Sequence, residues 1–292
     1  MKPAPFDYVR AGSVEEALAA LAAPEAKIVA GGQSLVPLLN LRLARPARLV
    51  DVNRVPGLDA LEAVGGELRV GTLVRHSRLM SEPLVRERAP LLAEAAGLVG
   101  HVAVRNRGTF GGSLAHADPT AELPAAALAL EARLLLRSRE RERWVTAEDF
   151  FVASYVTAAR EDEMLTEARI PARPAGEGWA FLEVSPREGD FALAGVAALT
   201  RAAGEILRGP KVVWVGAAFR PLRASPLEAR LEGTRTAGED LERMVAEAVS
   251  VLQPPSDHRA SGEYRRAALR ELTVRALRLA AARAGGGEGG RS

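Results

Sequence analysis

The spacing of apolar positions changes along the chain, and the changes divide it. Ser13-Val-Glu-Glu16 has capping-box spacing ahead of an Ala/Leu-rich helix. Lys27-Ile-Val-Ala30 predicts a short strand, Gly31-Gly32 a turn, and Ser34 the cap of a helix carrying Leu35, Leu38, Leu39 and Leu41. Arg48-Leu-Val-Asp-Val52 predicts a second strand, which completes a small βαβ-like unit. Strands are then expected at 61–64 and 67–73, an amphipathic helix over 88–99, and a glycine-rich turn within 105–113. An Ala/Leu helix over 120–130 follows, with strands at 132–137, 142–145 and from Glu163 to Ile170. Pro171-Ala-Arg-Pro-Ala-Gly-Glu-Gly178 reads as a linker. Beyond it, strands at 179–184, 190–201 and 211–219 precede helices at 225–232, 239–252 and 262–282, an α+β order. The glycine-rich end, 284–292, reads as disordered.

Composition narrows the chemistry. The chain of 292 residues is 48% hydrophobic, enough for a sizeable core. It contains no cysteine, so disulfides, thiolate nucleophiles and iron–sulfur clusters held by its own cysteines are excluded. A net charge of +2, with no basic tail, gives no support for nucleic-acid binding. The N-terminal segment MKPAPFDYVR lacks an apolar signal region, and no window approaches the roughly 18 apolar residues of a membrane span; the expectation is a cytoplasmic protein.

Two glycine-rich segments carry the candidate chemistry. Ala30-Gly31-Gly32-Gln33-Ser34 lies between a strand and a helix, where glycines allow close backbone approach and the helix start offers N–H donors to an anion. Gly108-Thr109-Phe110-Gly111-Gly112-Ser113 offers similar chemistry. Together they suit a dinucleotide pyrophosphate held from two sides. Neither matches G-x-G-x-x-G or G-x-x-x-x-G-K-[ST]. Asp118 and Glu122 follow the second segment; each is either a hydrogen-bond acceptor for a ribose hydroxyl or adenine amine, or an ordinary acid at a helix start. The four histidines, at 76, 101, 116 and 258, have no metal-ligand spacing, and no serine lies in a G-x-S-x-G elbow.

Three runs carry a resemblance that spans about residues 3 to 282: Ala30 to Arg42, Val104 to Pro119, and Gly189-Asp190-Phe191-Ala192, joined by Asp257-His-Arg-Ala-Ser-Gly-Glu-Tyr-Arg-Arg266. The sequence resembles the FAD-binding medium subunits of the molybdenum hydroxylase (xanthine dehydrogenase) family, those of carbon monoxide dehydrogenase above all. The resemblance implies an α+β fold. Its N-terminal FAD domain would be of vanillyl-alcohol-oxidase type, made of two α/β subdomains, 1–56 and 57–174. A C-terminal α+β domain of antiparallel strands and helices would cover 178–283. It further implies FAD with its pyrophosphate between the two segments. Val29, Ala30, Gly31, Gly32, Gln33, Ser34 and Leu35 would form one wall, and Thr109, Gly111, Gly112 and Ser113 the other. Asp118 and Glu122 would lie toward the adenosine part, Leu165 beside the flavin and Phe191 near the isoalloxazine ring.

The implied partners are a small subunit with two iron–sulfur clusters and a large molybdenum-cofactor subunit, in a heterotrimer that pairs into a dimer of trimers. Electrons would pass from the clusters to FAD and on to an external acceptor. Glu183 and Pro186 depart from the pattern, standing where relatives often carry basic residues, and they leave a flavin-free scaffold as the alternative.

Overall fold

The computed structural model describes residues 1–285. The expected tail therefore falls mostly outside the described residues; its first two, Ala284 and Gly285, end the last helix.

The first unit is a parallel sheet. It comprises β1 (Asp7–Arg10), α1 (Val14–Leu21), β2 (Ala26–Val29), α2 (Leu35–Asn40) and β3 (Arg48–Asp51), in strand order β1-β3-β2. The capping spacing works: the Ser13 side chain accepts from Glu16 N–H (3.1 Å), and Glu16 reaches back to Gly12 N–H (2.7 Å). Ser34 occupies the cap position of α2 but makes no side-chain cap bond, because its backbone is already helical (φ −97°, ψ −46°).

The second unit begins with β4 (Leu61–Val64), β5 (Glu67–Gly71), α3 (His76–Ser81), α4 (Pro83–Arg88) and α5 (Pro90–Leu98). The helix expected over 88–99 is α5; it opens at Pro90, because Ala89 before it takes a non-helical φ of −144°, and Pro83 opens the separate helix α4 ahead of it. Then come α6 (Val102–Arg107), α7 (Phe110–His116), α8 (Glu122–Ala129), β6 (Arg133–Arg137), β7 (Glu142–Thr146), α9 (Ala147–Phe150), β8 (Phe151–Ala153), β9 (Val156–Thr157) and β10 (Met164–Pro171). The five-stranded sheet has the order β4-β5-β10-β6-β7 and is antiparallel throughout.

The third unit comprises β11 (Glu177–Val184), β12 (Ala194–Ala203), β13 (Ile206–Val215), β14 (Leu222–Arg223), α10 (Ser225–Leu231), α11 (Glu239–Ser250) and α12 (Gly262–Gly285). The expected linker shrinks to 172–176, since Pro171 closes β10 and Glu177 opens β11. Two strands are displaced from their expected spans. β12 starts at Ala194 because 185–193 is a loop. β13 starts at Ile206 because Gly209-Pro210, a breaker on paper, sits where the ladder to β12 shifts register between Leu199 and Arg201.

These sheets sandwich a helical layer. One apolar core joins Leu68, Val70, Leu134, Leu136, Ala168 and Ile170 of the five-stranded sheet to α5 and α8, and those helices to Phe181, Ala197, Leu199, Val213 and Val215 of the third unit. Every residue of α8 is buried, as an apolar helix between two sheets requires. A second core covers the opposite face of the last sheet with α10, α11 and α12. Trp214 Nε1–H donates to Thr273 Oγ1 (3.0 Å) inside it. Among the described residues no helix is long and apolar enough to cross a membrane.

Gly178 shows how tightly α12 is seated. A Cβ there would stand 1.9 Å from the Ala280 carbonyl oxygen and 2.6 Å from Ala284 N. Gly178→Ala is expected to destabilise the protein by about 2–3 kcal/mol, since neither backbone can yield cheaply. Denaturant unfolding followed by circular dichroism measures it, and a change under about 0.5 kcal/mol would contradict this seating.

Candidate cofactor site

The two glycine segments meet. A Cβ on Gly31 would lie 2.3 Å from the Arg107 carbonyl oxygen and 2.8 Å from Gly108 Cα, so the loop after β2 rests directly on the backbone between α6 and α7. Gly32 takes φ +73°, a left-handed conformation that favours glycine. A brace holds the contact from behind. Asn53 donates to Ala30 O (2.7 Å), Arg75 donates to Asn53 Oδ1 (2.8 Å), and Arg75 also donates to Arg107 O. Asn53 is itself oriented by Asp51 Oδ1, which accepts both its amide N–H (2.9 Å) and its side-chain N–H (2.8 Å).

The two walls differ in what they offer. The second segment is the start of α7, not a turn. Thr109 caps it, accepting from Gly112 N–H (3.1 Å). Phe110 N–H donates to Val74 O (2.9 Å), Gly111 N–H to Thr72 O (2.9 Å) and Ser113 N–H to Thr109 O (3.0 Å), so the donors expected to be free there are committed. Gly111 is needed because a Cβ would lie 2.3 Å from Thr72 Cβ. By contrast, the N–H groups of Gly31, Gly32, Gln33, Ser34 and Leu35 have no acceptor among the described residues. Five consecutive donors on one loop suit an anion such as a pyrophosphate. The Gln33 side chain folds back onto Gly31 O (2.9 Å). Val29 ends β2 and Leu35 opens α2.

Supports that sequence reasoning missed are Asn53, Thr72, Arg75 and His76. His76 is packed against Gly108, where a Cβ would fall 2.6 Å from its ring, and burial pushes its pKa down to about 4, so the imidazole is neutral. Asn53 is one of only three asparagines, with Asn40 and Asn106, and that scarcity is the only sequence signal among them.

Beyond α7, Ala117 turns the chain through φ +52° to Asp118. Asp118 is occupied internally: Oδ1 accepts Thr120 N–H (2.8 Å) and Oγ1–H (2.7 Å), and Oδ2 accepts the Tyr155 hydroxyl (3.3 Å). It shapes the segment more than it offers a free acceptor. Glu122, the first residue of α8, is 3% exposed, and its carboxyl meets its own backbone N–H. Leu165 is buried in β10 opposite Leu136, on a strand against which α7 packs.

Phe191 lies in the loop 185–193 and is 49% exposed. That loop reaches the same region because Gly189 (φ +82°) sits against His101, the N-cap of α6, where a Cβ would be 2.5 Å from Nδ1. Among the described residues no cluster of three or more metal-ligating side chains occurs.

Glu183 has an unexpected environment. Its Oε2 is buried without a partner, and opposite it on β12 is Gly195, whose lack of a side chain leaves it room. Its strand face is the one that carries Phe181 into the core shared with α5 and α8. Burial, and secondly the nearby charge of Glu122, pushes Glu183 up to about 8. Burial likewise pushes Glu122 up to about 7; its own backbone N–H opposes this and Asp118 adds to it.

A braced loop with free donors on one wall suits the anionic part of a dinucleotide cofactor. Comparison supplies the family. The model of the FAD binding domain in molybdopterin dehydrogenase matches residues 4–173, and that of the CO dehydrogenase flavoprotein C-terminal domain matches residues 179–280. The chain is 40% identical to the 6-hydroxypseudooxynicotine dehydrogenase complex subunit alpha of Paenarthrobacter nicotinovorans, over 97% of each chain. It is 36% identical to the carbon monoxide dehydrogenase medium chain of Hydrogenophaga pseudoflava, over 97% of this chain and 99% of that one. A solved structure of carbon monoxide dehydrogenase from the same organism, lacking the Mo-pyranopterin moiety, superposes with a TM-score of 0.93 at 38% identity, covering 97% of this chain and 99% of that one. The chain belongs to the FAD-binding medium subunits of the molybdenum hydroxylase family, to which carbon monoxide dehydrogenase and xanthine dehydrogenase belong. It is a flavoprotein subunit of an oxidoreductase, and FAD is its cofactor.

The buried acids make stability pH-dependent. In the unfolded chain both ionise near pH 4.5, whereas in the folded chain they retain protons up to about 7 and about 8. Their contribution is therefore complete below about pH 4.5 and is lost as pH rises through about 8. Glu183→Gln is expected to flatten the fall in Tm of the FAD-free chain between about pH 5.5 and 8.5, with about 2–4 °C gained at the alkaline end for each kcal/mol of relief. Calorimetric melts across that range check it; an unchanged slope would remove the coupling.

Proposed function

We propose that this chain is the FAD-binding electron-transfer subunit of a molybdenum-containing hydroxylase or dehydrogenase. It takes electrons from the iron–sulfur clusters of a small subunit and passes them to an external acceptor. A large subunit holding the molybdenum cofactor completes the heterotrimer and sets the substrate. The observation that carries the reading is the asymmetric cradle, with unpaired N–H donors from Gly31 to Leu35 fixed against the Arg107–Gly108 backbone. The absence of cysteine agrees with it, because electrons have to arrive from clusters held elsewhere. Two relatives named as a complex subunit and a medium chain support assembly with other chains.

The residues present fit the cofactor. Gly31, Gly32, Gln33, Ser34 and Leu35 supply backbone N–H groups to the pyrophosphate, and the hydroxyls of Ser34 and Ser113 lie on opposite walls. Val29 and Ala30 carry the loop. Thr109, Gly111 and Gly112 form the tight helix start that lets the cofactor approach. Asp118 fixes the segment that presents Glu122, whose buried carboxyl accepts a hydrogen bond from the adenosine part. Leu165 and Phe191 flank the flavin. FAD supplies reversible two-electron and one-electron chemistry, so the protein needs to supply only binding, orientation and tuning.

The test uses the complex purified with its co-expressed partners. Wild type is expected to release one FAD per chain on denaturation. Gly31→Ala, which drives the two walls apart, is expected to lower FAD occupancy at least tenfold and acceptor reduction in proportion, with assembly retained. An assembled wild-type complex without FAD would replace this reading with the flavin-free scaffold.

A further inference from the structure

The run Asp257 to Arg266 has no part in the cradle, yet it contains the largest fully buried side chain among the described residues. Arg265 is 1% exposed. A guanidinium removed from water is strongly unfavourable unless its donors are met. Its Nη2–H donates to Asp257 Oδ2 (2.8 Å), and Nη1–H donates to the carbonyl oxygen of Leu193 (2.5 Å), while Nε is buried without a partner among the described residues. Asp257 also shapes the chain around it, since Oδ1 accepts the N–H groups of Arg259 (2.8 Å) and Ala260 (3.0 Å). From that turn Arg259 extends to the carbonyl oxygen of Phe191.

Two arginines from one segment thus hold alternate carbonyls, 191 and 193, of the loop that carries Phe191. The other ends of the loop are fastened as well. Leu193 N–H donates to Val184 O (2.8 Å), Asp190 N–H to Arg187 O (3.0 Å), and Gly189 rests on His101. Behind Arg265, Gly216 leaves space that a Cβ would close to 3.2 Å from Nη1, and its N–H donates to Pro119 O (3.2 Å), between Asp118 and Glu122. The Phe191 backbone is therefore clamped while its ring is left half exposed.

We propose that Asp257, Arg259 and Arg265 are positioning residues that hold the 185–193 loop so that the Phe191 ring meets the flavin. The proposal rests on the reading that Phe191 flanks the flavin, and its test separates the two. Arg259 is the arm to remove, because it is only partly buried and its loss leaves the Arg265–Asp257 pair intact. Hydrogen–deuterium exchange on the full-length FAD-free chain reads the clamp. Arg259→Ala is expected to speed exchange in 185–193 about tenfold, with α12 unchanged, and Arg259→Lys to recover part of the protection.

FAD dissociation from the assembled complex reads the consequence. Phe191→Ala and Arg259→Ala are each expected to speed it about five- to tenfold. The double variant is expected to be no faster than Phe191→Ala alone, because both act through one ring. Unchanged exchange in Arg259→Ala overturns the clamp, as does full additivity in the double variant. If Phe191→Ala leaves FAD dissociation and the flavin spectrum unchanged, the aromatic contact is overturned, and positioning at the flavin falls with it, even where the exchange result holds.

Discussion

The site depends on two backbones brought closer than any side chain allows. Gly31 lies on the carbonyl of Arg107, and the distance leaves no place for a Cβ. Most else follows from that approach. It joins a loop of the parallel sheet to the start of a helix packed on the antiparallel sheet, and it leaves five N–H groups without an acceptor among the described residues. It also requires the Asn53–Arg75 brace, because the Ala30 and Arg107 carbonyls behind the contact would otherwise lack these partners. The unpaired donors and the braced carbonyls are two sides of one peptide arrangement, with the side facing the ligand left unsatisfied by protein.

The carboxylates add a different kind of constraint. Glu122 and Glu183 lie at the seam between α8 and the last sheet, where apolar packing surrounds them and their charges oppose each other. Gly195 makes room for the second acid without giving it a partner. An acid retained in such a place resists ionisation, so the seam is more nearly neutral at ordinary pH than its composition indicates.

Local signals were legible, and long-range ones were not. The Ser13 cap and the α12 helix could be read because both depend on neighbours within a few residues. Gly31 and Gly111 announced close approach, since glycine in such a setting has few other uses. Which donors were free could not be read, because that depends on carbonyls of Thr72 and Val74 supplied from the end of another strand. The 190–193 stretch looked like strand because its residues suit one; arginines more than 65 positions away hold its carbonyls instead. Gly209-Pro210 concealed a strand for the opposite reason, since a register shift in the ladder accommodates a pair that normally ends one. Arg75 and Asn53, 22 residues apart, carried no mark of their pairing.

The wholly buried helix α8 has a consequence for how the protein is made. Synthesis delivers the five-stranded sheet with α5 and α8 before the last sheet emerges from the ribosome. Until then one side of α8, with Glu122 at its head, has nothing to cover it but water. The final hundred residues arrive to a surface already laid down and complete it as a template completes a cast. The nascent chain thus passes through an interval in which a helix that ends wholly buried is on display, and the speed with which β11 to β13 close over it sets how long that exposure lasts.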